Sequence, residues 1–295
     1  MSQLKYIARE SSDTIAANKI INFNISPYDS ICQMFAAFTN NGEPASIDNI
    51  ISSILRVRVI INGEDVVSVS PANLVNAIRM LGQRVYHNQQ SNVLPLNIAK
   101  LMYEVMGERG IFDIGCDGWA YNKKQAIPVS NIQIQITCGG TITDLTDVEI
   151  STERVQKGTG LNLTTAYGKI LTYEQNISGT GVHTVDTLPK NLSEGYLCVM
   201  ANPGDGVITK GEVKVNNAYA IQDSTMAVMN AVINQRGFGN VAGIFPYLFG
   251  DGTLTTALSM EGVNDFRFNT NFSKAPTTGK YDLVAITVKQ ANSLI

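Results

Sequence analysis

The sequence predicts an all-β protein with a few short helices, built as two tandem antiparallel β-sandwiches. Short runs of alternating apolar and polar residues, a strong hairpin signal and a repeated order of elements lead to this prediction. The chain has 295 residues, of which 44% are hydrophobic and 16% charged. A chain of this length is one large domain or two of ordinary size, and it can bury enough surface to need no disulfides.

The composition also narrows the function classes. The net charge is −3 and no basic block is present, so we expect no direct nucleic-acid binding. Asn, Gln, Thr, Ser and Gly take the place of charged residues, and they suit subunit contacts because burying them costs less than burying ions. The N-terminal residues lack the apolar region of a signal peptide, and no run reaches the ~18 apolar residues of a transmembrane span.

Two segments of the first half alternate with the period of a β-strand, at 19–25 and 55–61. Asn62-Gly63 follows the second segment and precedes Val66-Val67. Asn-Gly between apolar runs predicts a tight hairpin, because both residues tolerate a positive φ. The residues expected on the buried faces of the two strands are Ile21, Phe23, Ile25, Leu55, Val57, Val59 and Ile61.

A capped helix is expected after the hairpin, over 70–85. Ser70 can accept from the free N–H groups, and Pro71 suits the first helical position. A second short helix is expected at 98–106, followed by strands at 111–114 and 132–136. The first helix has an apolar stripe of Leu74, Ile78, Leu81 and Val85.

The second half repeats the order of strand, turn, cap and helix. It has a strand at 211–215, a turn at Asn216-Asn217 and a cap at Asp223-Ser224. The helix after the cap carries Met226, Met229 and Ile233, and it ends at Gly237. Methionines at helical spacing fill a core more often than they form a binding groove. Further strands are expected at 244–249, 254–258, 266–268 and 281–289, with long loops within 151–195 and 236–280.

An ungapped shift of 154 residues aligns one 20-residue segment of each half. Residues 59–78 then lie on 213–232 with five identities, and Ile136-Thr137 matches Ile286-Thr287 at a shift of 150. A repeat near half the chain length indicates an internal duplication. Two sandwiches of about eight strands, with helices in their loops, are two jelly rolls. The expected division is an N-terminal arm at 1–16, jelly roll 1 at 17–142 and jelly roll 2 at 143–295.

The strand and turn at 54–63, the capped helix at 70–85 and its counterpart at 224–236 resemble those of a viral family. The chain looks like the double jelly-roll major capsid proteins of tailless icosahedral phages with an internal membrane, such as corticoviruses and finnlakeviruses. The resemblance implies a coat protein made in the host cytoplasm and located in the virion capsid. It also implies homotrimers of six rolls that approximate a hexagon and tile the shell.

The same resemblance implies partners beyond other copies of the chain. These are minor capsid and vertex proteins, and the internal membrane through residues 1–18. Lys5 and Arg9 could approach anionic head groups there, whereas Glu10 and Asp13 favour a solvated tail. The long loops would cover the outer surface or fill the seams of the trimer.

Catalytic, cofactor and metal sites are not expected. His87 and His183 lack the flanking motifs of a catalytic triad. Asp113 and Asp117 near Trp119 could form a glycosidase pair, but Asp117-Gly118 is ordinary turn chemistry. The glycine pairs at 158–160, 179–181 and 237–239 lack the phosphate-loop pattern and are expected to be turns.

The cysteines are expected to be buried free thiols. Cys32, Cys116, Cys138 and Cys198 lie far apart, without the spacing of a zinc or redox motif. Two other functions stay open beside the coat protein. One is a carbohydrate- or receptor-binding sandwich such as a viral spike, which a single Trp makes less favoured. The other is a β-sandwich hydrolase, which lacks a recognisable catalytic cluster.

Overall fold

A computed structural model describes residues 5–81, 92–96, 129–155, 166–250 and 257–290. The backbone contacts divide the chain into two compact units. Unit 1 is Met1–Val75, Arg84–Ile170 and Gln290–Ile295, and unit 2 is Asn76–Gln83 and Leu171–Lys289. Each unit has two antiparallel sheets, as the alternating strands of the sequence predict.

Unit 1 is a jelly roll of eight main strands. One sheet has the order β1-β9-β3-β7, with the short β4 also on β3, and the other has the order β6-β5-β8-β2. The elements are β1 (Lys5–Thr14), β2 (Ile20–Ile25), β3 (Ser30–Asn40), β4 (Glu43–Pro44), α1 (Ile47–Ser53), β5 (Ile54–Ile61), β6 (Glu64–Val69), α2 (Pro71–Met80), which ends in unit 2, β7 (Val93–Pro95), β8 (Ile132–Cys138) and β9 (Asp147–Val155).

Unit 2 has the same topology. Its sheets have the orders β10-β18-β12-β15, with the short β16 also on β12, and β11-β17-β13-β14. The elements are β10 (Ala166–Asn176), which begins in unit 1, β11 (Gly181–Val185), β12 (Glu194–Asn202), β13 (Val207–Val215), β14 (Ala218–Thr225), α3 (Met226–Gln235), β15 (Phe245–Leu248), β16 (Leu258–Ser259), β17 (Phe266–Lys274) and β18 (Lys280–Gln290).

The two units have different cores. Unit 1 is mainly aliphatic, and β2 and β8 bury every second residue as predicted. Unit 2 buries rings in edge-on and tilted contacts, with centroid distances from 4.7 Å for Phe266–Phe268 to 5.1 Å for Tyr247–Phe268. Gly211 on β13 makes room for this cluster, because a Cβ there would lie 2.4 Å from Phe245 Cε1. The rings come mostly from β15 and β17, which face each other across the sandwich.

The predicted repeat is present in the hairpins β5-β6 and β13-β14. Both turns have two residues with positive φ, 51° and 84° at Asn62-Gly63 and 49° and 67° at Asn216-Asn217. Both hairpins also change register after the second pair of residues, which leaves Val66 and Ala220 as the extra residues. The same turn and the same bulge occur in both units at a constant shift of 154 residues.

The N-cap of α3 lies one residue after the position that the 154-residue repeat predicts from the N-cap of α2. Ser70 caps α2 as predicted, and its Oγ accepts from Asn73 N at 3.2 Å. In unit 2 the cap is Thr225 rather than the predicted Asp223-Ser224. The reason is a second change of register between β13 and β14, near Asp223, whose φ is 32°. This extra residue delays the start of α3 by one position.

The predicted correspondence of closing strands was wrong. Ile136-Thr137 lies in β8, the seventh strand of its roll, whereas Ile286-Thr287 lies in β18, the eighth strand of the other. The true counterpart of β18 is β9, which the sequence did not reveal. Thr152 and Arg154 occupy inward positions of β9, so its sequence lacks a clear apolar alternation.

The expected domain limits differ from the structure in three places. The arm at 1–16 contains β1, which pairs with β9 along its whole length. The limit at 142/143 would separate β9 from unit 1, to which β9 belongs. The expected loop within 151–195 contains β10 and β11, which were not predicted, whereas the strands expected at 244–249 and 266–268, within 236–280, are present as β15 and the first part of β17. Edge and polar strands have little apolar periodicity, and this is why they were missed.

Several sequence predictions fall on residues outside those described. They are the helix at 98–106, the strand at 111–114, most of the strand at 254–258, and Val85 in the helical stripe. The remaining stripe residues, Leu74, Ile78 and Leu81, are all buried. In α3, Met229 and Ile233 are buried and the helix ends next to Gly237, as expected.

Candidate functional site

The outward face of the sheet β6-β5-β8-β2 carries a continuous ladder of polar side chains. Arg58 makes a two-pronged ion pair with Asp65, with Nη2 2.8 Å from Oδ1 and 3.0 Å from Oδ2. Its Nη1 donates to Gln135 Oε1 at 3.0 Å, and Gln135 Nε2 donates to Asn22 Oδ1 at 2.9 Å. The ladder crosses all four strands. These hydrogen bonds hold the four side chains against one another on the face of the sheet.

The same face combines paired polar groups with exposed apolar ones. Arg56 Nε donates to Ser68 Oγ at 2.9 Å, so this guanidinium also has a partner on the sheet. Ile20 on β2 is 55% exposed. Leu55 on β5 was predicted to be buried but is 60% exposed, because the register with β8 shifts between Ile54 and Arg56 and leaves Leu55 as the extra residue. A flat face with its ions paired internally and apolar groups in water resembles a protein contact surface more than a free surface.

The outward face of β11-β17-β13-β14 in unit 2 is built in a similar way. Lys210 on β13 pairs with Asp223 on β14 at 2.8 Å, and Arg267 on β17 pairs with Asp265 at 2.7 Å. Lys214 also lies 4.7 Å above the ring of Tyr219. The ions of this face are therefore partnered within the face.

Lys5–Thr14 lies on the first sheet of unit 1 as a paired strand and does not form a free arm. Arg9 on β1 pairs with Glu149 on β9 at 2.8 Å, and Ile7 is 76% exposed. Lys5–Thr14 is a paired strand, and this argues against the hypothesis that residues 1–18 reach an inner membrane. Among the described residues, no helix is long and apolar enough to cross a membrane.

A charge cluster is buried inside unit 1. The side chain of Arg154 is fully buried, and its Nη2 lies 2.7 Å from Glu10 Oε1, a carboxylate that is 10% exposed. Glu10 lies in phase with Tyr6 and Ala8 on the less exposed face of β1, and the register with β9 shifts at this residue. Arg154 also donates to Ser26 O at 3.0 Å and stacks 4.1 Å from the ring of Tyr28. The cluster joins β1 and β9 to the loop between β2 and β3.

Sequence reasoning did not find this cluster. Glu10 was noted only as a charge that offsets Arg9, and Arg154 was placed in a loop. The available signal was weak: two polar residues, Thr152 and Arg154, with the period of a strand among charged neighbours. A buried arginine cannot be told from an exposed one by spacing alone.

Of the residues considered above as catalytic candidates, the structure describes only His183. Its Nδ1 lies 2.9 Å from Tyr281 Oη, and its ring also hydrogen-bonds the backbone of Asn176. Burial lowers the pKa of His183 below its usual value. This histidine joins two sheets of unit 2. His87, Asp113, Asp117 and Trp119 lie outside the described residues.

The described part of the chain has two cysteines whose side chains can be assessed. Cys138 and Cys198 are free and buried, as predicted. Burial raises the pKa of the Cys198 thiol to about 12. Cys116 and the side chain of Cys32 lie outside the description. Among the described residues, no group of three or more His, Cys, Asp or Glu side chains could hold a metal ion.

Comparison with known proteins identifies the fold through solved structures. No family model and no curated protein matches the sequence. The major capsid protein P2 of bacteriophage PM2 superposes with a TM-score of 0.74 at 9% identity, covering 97% of this chain and 98% of that one. The STIV MCP gives 0.65 at 11% identity, with 97% of both chains covered. The PBCV-1 virus capsid gives 0.63 at 8%, with 97% and 93% covered.

These matches extend over both units, and the strand order of each unit is that of a jelly roll. Identities near 10% carry information about the fold only. The chain therefore has the double jelly-roll fold of these viral major capsid proteins.

Proposed function

We propose that this chain is the major structural subunit of an icosahedral virus capsid. In this proposal the chain forms homotrimers in which six jelly rolls approximate a hexagon, and the trimers tile the shell. The observation that carries the proposal is the extent of one superposition. It covers 97% of this chain and 98% of the PM2 capsid protein, so both units are matched.

The outward sheet faces support self-association. A subunit of a closed shell needs complementary surfaces, and it does not need a concave polar pocket. The ladder from Asp65 to Asn22 holds its side chains in place before any contact forms, which lowers the entropic cost of binding. Ile20 and Leu55 supply apolar area beside it. These features favour contact with another protein surface.

The proposal includes minor capsid and vertex proteins as further partners, and the virion as the location of the chain. We do not extend it to a membrane contact through residues 1–18, because β1 is paired and Arg9 has a carboxylate partner. A carbohydrate-binding sandwich is less well supported. Such a protein displays rings on an exposed face, whereas the rings of β15 and β17 are buried.

Native mass spectrometry of the purified chain, over a series of concentrations in the micromolar range, tests the proposal. We expect a mass three times the 32.0 kDa of one chain. Circular dichroism on the same sample checks that the strands are formed. A folded protein that stays strictly monomeric over this range would contradict the proposal.

A further inference from the structure

Two turns of unit 1 have the sequence Asn-Gly and nearly the same backbone. Asn41-Gly42 joins β3 to β4 with φ values of 51° and 87°, and Asn62-Gly63 joins β5 to β6 with 51° and 84°. All four residues are exposed. Asn-Gly is the dipeptide most prone to spontaneous deamidation, because glycine does not shield its backbone nitrogen. The two turns therefore form a matched pair within one chain.

The side chain of Asn62 is held firmly. Its Oδ1 accepts from the backbone N–H of Ser130 at 2.9 Å, from that of Asn131 at 3.2 Å, and from Ser130 Oγ at 3.2 Å. Its own backbone N–H donates to Asn131 O at 2.9 Å. The turn also lies between strands of eight and six residues, so it opens only when a long hairpin opens.

The side chain of Asn41 is held much less. Within the part of the chain that the structure describes, it makes one hydrogen bond, from Nδ2 to Asn40 Oδ1 at 3.3 Å. Strand β4 beyond the turn has only two residues, and the second, Pro44, has no N–H to donate. The backbone of the turn is anchored by Asn41 N–H, which donates to Thr146 Oγ1 at 2.8 Å.

We propose that Asn41 is a site of spontaneous deamidation in the folded protein and that Asn62 is protected from it. The Gly42 backbone nitrogen loses its proton and attacks Cγ of Asn41. The bond from Cγ to Nδ2 breaks, ammonia leaves, and a five-membered succinimide forms. Water then opens the ring at either carbonyl, giving aspartate or isoaspartate. The net reaction consumes one water and releases one ammonia, with no oxidation or reduction.

The hydrogen bonds decide the difference between the two sites. For the ring to close, Cγ must swing towards the nitrogen of the next residue. At Asn62 this movement breaks three hydrogen bonds to Oδ1, whereas at Asn41 no bond to Oδ1 resists it within the described residues. From the typical strength of such bonds, we expect deamidation at Asn41 to be at least about tenfold faster than at Asn62.

Peptide mapping by mass spectrometry tests this on the intact chain. Trypsin releases residues 20–56, with Asn41, and residues 59–79, with Asn62. The folded protein is incubated at mildly alkaline pH beside a sample in concentrated urea, and fragment ions locate the acid formed. We expect product at Asn41 and almost none at Asn62 in the folded sample, and similar rates at both sites in urea. Equal rates in the folded sample, or faster reaction at Asn62, would overturn the proposal.

A variant tests the role of the turn anchor. Thr146→Val keeps the shape of the side chain and removes the acceptor of the Asn41 N–H. We expect this change to raise the rate at Asn41 severalfold and to leave the rate at Asn62 unchanged. An unchanged or slower rate at Asn41 would show that holding the turn does not control the reaction.

Discussion

Arg154 and Glu10 form an ion pair inside unit 1, with Nη2 2.7 Å from Oε1 and the guanidinium fully buried. The pair joins the last strand of the roll to its first, 144 residues apart in the chain. Thr152 donates to the same carboxylate oxygen and accepts from Arg154 Nε, so the pair is part of a satisfied network. The first strand of unit 1 is therefore held from within the core.

Removal of one partner of this pair should be costly. Arg154→Met leaves Glu10 without its cation in a buried site, and we expect a loss of about 3–5 kcal/mol in the free energy of unfolding. Removing both charges, with Arg154→Met and Glu10→Gln together, should cost clearly less than the single change. Urea denaturation measures all three proteins. A single variant as stable as the unchanged chain would contradict the buried pair.

Gly211 is expected to tolerate no side chain. A Cβ there would lie 2.4 Å from Phe245 Cε1 and 2.6 Å from Tyr247 Cε1. Gly211→Ala should destabilise the protein by about 1–3 kcal/mol through overpacking. Gly179→Ala is the matched control, because nothing lies within 4 Å of its Cβ position. Thermal unfolding compares them, and equal midpoints would contradict the close approach of the rings.

The apolar stripe of α2 should behave as core. Leu74 and Ile78 are 1% and 0% exposed, so Leu74→Ala and Ile78→Ala should each cost about 2–5 kcal/mol. Val228→Ala on α3, where the side chain is 52% exposed, should change stability by less than about 0.5 kcal/mol. Chemical denaturation measures the three variants. Losses below about 0.5 kcal/mol at both α2 positions would mean that the helix is misplaced.

The shifted cap of α3 can be tested with two adjacent residues. Thr225 Oγ1 accepts from Val228 N, whereas Ser224 Oγ donates to Gln222 O. Thr225→Ala should cost about 1 kcal/mol in the free energy of unfolding, and Ser224→Ala should cost less. Urea denaturation ranks the two. The opposite order would restore the cap that the ungapped repeat predicts.

His183 gives the stability of unit 2 a dependence on pH. Its folded-state pKa is lowered from 6.5, so the unfolded chain takes up a proton at a higher pH than the folded chain. The stabilisation from the neutral ring is complete above pH 6.5 and is lost as the pH falls below it. The stability difference between the unchanged chain and His183→Gln should therefore shrink from pH 8 to about pH 5. A difference that stays constant or grows would contradict the lowered pKa.

Part of the fold could be predicted because some strands have a single apolar face. β2 and β8 alternate strictly, β5 alternates from Val57 to Ile61, and Asn-Gly or Asn-Asn fixed the hairpin turns. The repeat of the hairpin could also be predicted, because Asn62 and Asn216 make the same hydrogen bonds in their turns. Each Oδ1 accepts from two consecutive backbone N–H groups directly before the seventh strand of its roll, at 130–131 and 264–265.

The remaining elements could not be predicted from periodicity. β1 is an edge strand with one neighbour, and β9 directs Thr152 and Arg154 inward, so neither has a clear apolar face. The one-residue shift of the α3 cap depends on the conformation of Asp223, which no spacing reveals. The outward ladder was visible only as polar residues opposite apolar ones. Its partners are set by the register between strands that lie far apart in the chain.

The most direct test of the coat-protein account is a negative-stain electron micrograph of the purified oligomer. The account predicts particles with threefold symmetry and a nearly hexagonal outline, since three copies of two jelly rolls give six similar lobes. Class averages that show single chains, dimers or rings without a threefold axis would contradict it.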